Sequence, residues 1–166
     1  MGMLAYREAD FKFNFRVVGV LIKNGKLLIH RSHADDFYAL PGGRAEMGEN
    51  TETTIIREME EELQIKVTVE RLLFVNEAFF DYADLRFHEL GFYYLLNCDD
   101  ENLKLDHQFE VNENGTIFEF RWVDLDEIAN EEVYPLFIRQ RITSLPQTVE
   151  KFVEIDNIHQ PQLHRR

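Results

Sequence analysis

The chain has 166 residues, 45% apolar and 30% charged, values that suit one soluble domain burying a single core. Its 31 acidic residues against 18 basic ones leave a net charge of −13, which makes the chain a poor general ligand for a nucleic-acid backbone, so no general nucleic-acid binding is expected. No run of 18 apolar residues exists to span a membrane, the first ten residues carry no secretion-signal pattern, and the lone Cys98 excludes an internal disulfide framework, so a cytoplasmic location is expected.

No repeat, low-complexity tract or Gly/Pro/Ser-rich linker interrupts the chain, so residues 1–166 read as a single domain with weakly anchored ends at about 1–10 and 157–166. Phe13 to Ile22 and Lys26 to His30 are apolar runs on either side of Lys23-Asn24-Gly25, a hairpin signal. A loop follows from His33 to Gly48 and contains Pro41-Gly42-Gly43. Asn50 or Thr51 can cap a helix running to about Leu63, with Ile55, Ile56, Met59 and Leu63 as its apolar stripe. Val67 to Phe80 and Phe87 to Leu96 read as strands, and Asp99 to Gly115 as a long polar loop. Thr116 to Val123 reads as a half-buried strand with Phe118, Phe120 and Trp122 on one face. Pro135 opens a second helix to about Leu145, since Pro is favoured at the first helical position. Strands, helix, strands and helix in that order predict an α+β domain with helices packed on a mixed sheet.

The segment Arg57-Glu58-Met59-Glu60-Glu61-Glu62-Leu63 is the most informative. At about 100° per residue, Glu58, Glu61 and Glu62 fall side by side along the edge of the apolar stripe, while Glu60 points elsewhere. Glu58 and Glu62 repel at i,i+4, at a cost of about 0.2–0.5 kcal/mol. Three consecutive glutamates also crowd the end of the helix where the dipole favours cations. A divalent cation would neutralise them, and oxygen-only donors favour Mg²⁺ or Mn²⁺ over zinc. Ahead of the helix, Gly42-Gly43 lets the backbone approach a ligand closely or take a positive φ.

The spacing Gly43, five residues, Glu49, seven residues, then Arg57-Glu58-Met59-Glu60-Glu61-Glu62-Leu63-Gln64-Ile65 resembles the signature box of the Nudix hydrolases, Gly-x5-Glu-x7-Arg-Glu-U-x-Glu-Glu-x-Gly-U, with U a bulky aliphatic residue. Leu40-Pro41-Gly42-Gly43 and Glu119-Phe120-Arg121-Trp122-Val123 also look like that family's flanking segments. One position departs: Gln64 stands where the box has its second Gly, which normally lets the helix end in a left-handed conformation.

The resemblance implies an α/β/α sandwich and metal-dependent hydrolysis of a nucleoside diphosphate linked to another group X. Glu58, Glu61 and Glu62 would be metal ligands together with the backbone carbonyl of Gly42. Glu49 would lie behind them, and Arg57 would hold carboxylates in place. A metal-bound water would be the nucleophile. Its general base would be Glu58 or Glu61, with Glu110 or Glu113 of the downstream loop as alternatives. Arg44, Arg31 and Arg16 are placed to hold a phosphate, and one of Phe37, Tyr38, Phe79 or Tyr82 to stack on a base. The expected partner is a nucleotide or nucleotide derivative, with a homodimer as the commonest form of symmetric association. The alternative from another class is a nucleotide-sensing domain of the same fold without turnover. The six histidines show no metal-site spacing and are expected at surface or packing positions, and Cys98 reads as an inert thiol.

Overall fold

The computed structural model describes residues 2–155. Asn24 and Gly25 take φ of 53° and 75° and close a two-residue turn between β2 (Phe11–Lys23) and β3 (Lys26–Ser32), the hairpin expected of Asn-Gly. Beyond Ile22 and Leu27 the two strands separate and extend the sheet in different directions. β3 pairs antiparallel with β8 (Thr116–Asp124), which pairs with β7 (Gln108–Glu113). β2 runs parallel to β6 (Leu85–Asn97), which forms a long hairpin with β5 (Thr68–Tyr82). β9 (Glu150–Ile155) adds to β5 in parallel, so the sheet is mixed. Two short strands, β1 (Ala5–Glu8) and β4 (Gly42–Arg44), also pair with β2.

Alternation along the strands sends neighbouring residues to opposite cores. Val17, Leu28, Tyr94 and Trp122 pack with Ile55 and Met59 of helix α1 (Thr51–Leu63) on one face. Val18, Leu27, Tyr93 and Val123 pack on the other with Ile128 of a 3-10 segment (Leu125–Asn130) and with Phe137 and Ile138 of a short helix α2 (Phe137–Arg141). Helical elements therefore cover both faces of a mixed sheet, as expected for the α+β sandwich. Among the described residues no helix is long and apolar enough to cross a membrane.

Several expectations need correction. The N-terminal end is anchored: β1 pairs with β2, and Leu4 N–H donates to Ala45 O at 2.7 Å. The polar loop before Gly115 contains β7, whose Phe109 and Val111 pack against the α1-side core. The second helix spans only Phe137–Arg141, so Pro135 lies outside it. Ile56 is 38% exposed, and Thr54 takes its place on the buried side of α1. β9 lies in a stretch assigned no element, and residues 157–166 fall outside the described residues.

Candidate active site

The start of α1 is fixed by its own side chains. Asn50 caps it by accepting from Thr53 N–H at 2.8 Å, and Thr54 Oγ1 donates to Glu49 at 2.7 Å. At the far end Gln64 adopts φ 57° and ψ 36°, with its N–H donating to Glu60 O at 3.0 Å. The left-handed exit expected of Gly is thus kept with a Gln, at a cost of about 1–2 kcal/mol.

Three carboxylates emerge from this helix in different environments. Glu58 and Glu62 are each 8% exposed, whereas the Glu61 side chain is 58% exposed. Burial pushes the Glu62 carboxyl up to about 8, with Glu113 adding repulsion and Arg16 opposing it. Burial also raises Glu58, against the pull of Arg57. Glu62 Oε2 is buried without a hydrogen-bond partner. Glu60 is exposed and faces away from the group, as the helical spacing predicts.

Arg57 organises the cluster. Its Nε and Nη2 donate to Glu49 at 2.8 and 3.0 Å, and its Nη1 donates to Glu58 at 2.9 Å and Glu61 at 3.1 Å. Glu46 lies 3.8 Å away, so one guanidinium stands within 4 Å of four carboxylates. The Arg57 hydrogen bonds hold Glu49 down at about 2. Arg57 Nη2 also donates to Arg44 O at 3.2 Å, tying the helix to β4.

Gly42 and Gly43 lie in β4 and neither takes a positive φ, so their role is close approach. A Cβ on Gly42 would meet the Val17 backbone, and one on Gly43 would fall on the Glu58 carboxylate. Only glycine at position 43 lets that carboxylate lie against the backbone.

The remaining candidates divide by strand parity. Glu113 shares the inner face of β7 with Phe109 and Val111 and acts electrostatically on both Glu58 and Glu62. Glu110 lies on the outer face, its Oε1 3.0 Å from His33 Nε2. Arg16 and Arg44 are register partners in β2 and β4, and Arg16 acts on Glu62. Arg31 is not brought to the cluster. It points to the face opposite α1, pairs with Glu119 at 3.3 Å and lies over the Tyr38 ring at 4.6 Å. Of the aromatic candidates, Phe79 stacks on His88 at 4.4 Å, and Phe37 meets Tyr82 edge-on at 6.2 Å.

Among the described residues no three His, Cys, Asp or Glu side chains form a ready-made metal cage. The donor set nevertheless suits a hard divalent cation: the donors are all carboxylate oxygens, Glu62 Oε2 is buried and unpartnered, and charge is far in excess on a helix end. Binding one would require Glu58 and Glu61 to exchange part of their contact with Arg57 Nη1 for the ion.

The NUDIX domain family model matches residues 13–141. No curated protein sequence matches the chain. Among solved structures, the mutator MutT protein from Bacillus halodurans superposes with a TM-score of 0.58 at 17% identity, over 84% of this chain and 89% of that one. An ADP-ribose pyrophosphatase from Streptococcus suis gives 0.53 at 12% identity, over 84% and 98%. A UDP-X diphosphatase gives 0.51 at 24% identity over 78% of this chain, which spans 59% of that structure's length. Such identities speak to the fold. The family match over residues 13–141, on a chain whose helix carries the carboxylates described above, establishes that this protein belongs to the Nudix family.

Proposed function

We propose that this Nudix hydrolase cleaves a phosphoanhydride bond in a nucleoside diphosphate linked to a second group, with a divalent cation, Mg²⁺ or Mn²⁺, held by Glu58, Glu61, Glu62 and the Gly42 carbonyl. The observation that carries the reading is the imbalance around Arg57: four carboxylates within 4 Å of one guanidinium, with Glu62 buried beside them. Structural stability alone gives no reason to collect that charge at a helix end.

The bound cation would supply charge neutralisation on the phosphate oxygens and a more acidic water. The chain's own groups do the rest. Arg57 fixes the directions of Glu49, Glu58 and Glu61 through its forked donors. Glu61 reaches solvent and accepts a hydrogen bond from Arg57 Nη1, which suits it to take a proton from the attacking water. The electrostatic effect of Glu113 on Glu58 and Glu62 supports an assisting role from β7, whereas Glu110, on the outer face, lies 3.0 Å from His33 Nε2. Arg16 acts electrostatically on Glu62, and Arg44, its register partner, is tied to α1 through its backbone carbonyl; these two are the proposed phosphate contacts. The buried, free Cys98 accords with a reducing, cytoplasmic setting.

The test is phosphate or nucleotide release from a panel of nucleotide sugars, dinucleoside polyphosphates and nucleoside triphosphates, with Mg²⁺ or Mn²⁺. Hydrolysis of at least one, abolished by chelator, is expected. Tight binding without turnover of any would instead make this a nucleotide sensor.

A further inference from the structure

A groove of about 380 Å³ opens at the far end of α1, between the helix exit, residues 102–104 and β7. Its walls are largely apolar, with Leu63 and Ile65 from the helix exit, Leu103, and Phe109 and Val111 from β7. Of the clustered carboxylates only Glu62 lines it, and Glu62 Oε2 is buried without a hydrogen-bond partner. The helix end adds to that negative charge. Ile65 N–H returns to Met59 O and Lys66 N–H donates to Asp100, so the carbonyls of Glu61 and Glu62 receive no helical N–H. The last turn carries no basic residue, which leaves the negative pole of the helix uncompensated at the groove.

A cation of the chain's own already lies in this setting. The Phe109 ring stacks parallel on Phe120 at 5.3 Å, which fixes its plane, and Lys104 Nζ lies over the Phe109 ring at 5.5 Å. The Lys104 backbone is pinned, because Trp122 Nε1 donates to Lys104 O at 2.8 Å, but its side chain is exposed and free to swing away. An aromatic ring, an uncompensated helix end and a buried, unpartnered carboxylate together select a positive charge. The walls decide which kind. A divalent metal ion demands several oxygen donors and keeps water around it, and Leu63, Leu103 and Val111 offer neither. An alkylammonium buries its methyl groups against such walls while its charge faces the ring.

We propose that this groove binds a quaternary ammonium, seated on Phe109 in place of Lys104 Nζ, and that the second group of the substrate carries it. The first part stands on the groove alone. The second rests on the hydrolase reading, because Glu62 joins the groove to the carboxylate cluster and so puts it within reach of whatever the diphosphate is linked to. A neutral sugar suits the groove less well. Its hydroxyls would give up water against apolar walls, and the charge of the helix end would stay uncompensated.

The experiment is an NMR titration of the metal-free full chain with choline and with dimethylbutanol, its uncharged isostere in which carbon replaces nitrogen. Choline is expected to bind about fivefold tighter or more, with shift changes centred on Leu63, Leu103, Phe109 and Val111. Lys104→Met clears the ring and should strengthen choline binding about two- to fivefold, whereas Phe109→Leu should abolish the preference over dimethylbutanol. Equal or undetectable binding of the two ligands, shifts spread over the acidic surface, or an unchanged choline affinity in Lys104→Met overturn the proposal. Lys104 is exposed, so that variant decides if Phe109→Leu loses its fold. The substrate arm is read by hydrolysis of CDP-choline against CDP-glycerol with Mg²⁺. A kcat/KM about tenfold or more higher for CDP-choline is expected, and Phe109→Leu should erase the ratio. Equal rates, or hydrolysis of other nucleotides but of neither of these, overturn the assignment of the ammonium to the substrate. Choline binding without hydrolysis of any nucleotide removes only the hydrolase reading.

Discussion

Two clusters of charged side chains lie on opposite faces of the sheet, and they differ in balance. Around Tyr38, Arg31 pairs with Glu119 at 3.3 Å, Arg121 forks onto Glu131 at 3.2 Å, and Tyr38 donates to Glu119 at 2.6 Å. Both guanidinium groups lie over the Tyr38 ring, at 4.6 and 5.1 Å. Two cations meet two anions, and the cluster is complete in itself. Burial works to raise Glu119, but the Tyr38 hydrogen bond and the two arginines outweigh it and hold the carboxyl low. Around Arg57 one cation meets four anions, and burial raises both Glu58 and Glu62. A closed network stabilises a fold, whereas an unbalanced one is held in place by packing and is ready to take a cation.

The sharpest way to break this comparison is Glu61→Gln. It keeps shape while removing one charge, and turnover should fall by about 10²-fold or more, as for loss of a general base or metal ligand. Glu60→Gln, one residue away and exposed on the far side, should leave turnover within a few-fold. Steady-state rates on the best panel substrate decide, and equal small effects at both positions would reduce the cluster to a charged surface.

Cation binding sharpens the contrast from the stability side. At a Mg²⁺ concentration about 100-fold above its Kd, native-state binding adds about 2.7 kcal/mol, or roughly 5–10 °C in Tm for a chain of this size. Glu62→Gln should shrink that increment, whereas Glu119→Gln in the balanced cluster should leave it intact. A scanning-fluorimetry titration reads both. An increment that falls equally in the two variants would mean the ion binds diffusely to an acidic protein.

Glu119→Gln then carries the opposite signature. Glu119 is 8% exposed, and the substitution removes the charge facing Arg31 while leaving an acceptor for Tyr38. Stability should drop by about 1–3 kcal/mol, with turnover per folded molecule unchanged. Urea denaturation beside active-site titration checks it.

The same contrast explains what could be read from the chain alone. The unbalanced cluster is built from residues 43–62, and a helix turns i, i+3 and i+4 spacing directly into proximity, so its members were visible as a pattern. Even the departure at Gln64 left the helix exit unchanged in geometry. The face of Arg31 is set by strand parity: His30 points toward Phe118 and Phe120, and Arg31 to the other side. β7 went unseen because Gln108-Phe109-Glu110-Val111-Asn112-Glu113 alternates with mostly polar residues, yet that period of two separates Glu113 from Glu110. Asn14 and Asn76 lie inside apolar runs, and only the pairing of β2, β6 and β5, strands distant in sequence, sets them on one face.

The smallest expected effect separates both clusters from a third ionisable group. His30 is 6% exposed between Phe118 and Phe120, and its Nδ1 has no partner. Burial, with Arg16 adding repulsion, pushes its imidazole down to about 3, only partly offset by a hydrogen bond to the Leu40 backbone. The unfolded chain therefore takes up a proton as pH falls through about 6.5, and the folded chain does not until about pH 3. Stability from this neutral histidine is present above about pH 6.5 and is lost progressively as pH falls toward 3, with a slope of at most about 1.4 kcal/mol per pH unit. The Glu119 network contributes in the same direction only at lower pH, where a carboxyl held low begins to protonate. Between pH 6.5 and 5 the loss of stability on acidification comes from His30, while Glu62, raised to about 8 by burial, takes up its proton first in the folded chain and works in the opposite direction. His30→Leu should therefore lower the slope of denaturation free energy against pH in that window by up to about 1.4 kcal/mol per unit, whatever it does to stability at pH 7. Glu119→Gln should leave the slope there unchanged. A slope that survives in His30→Leu and vanishes in Glu119→Gln would transfer the acid sensitivity to the ion-pair network, and the balanced cluster would no longer be closed near neutral pH.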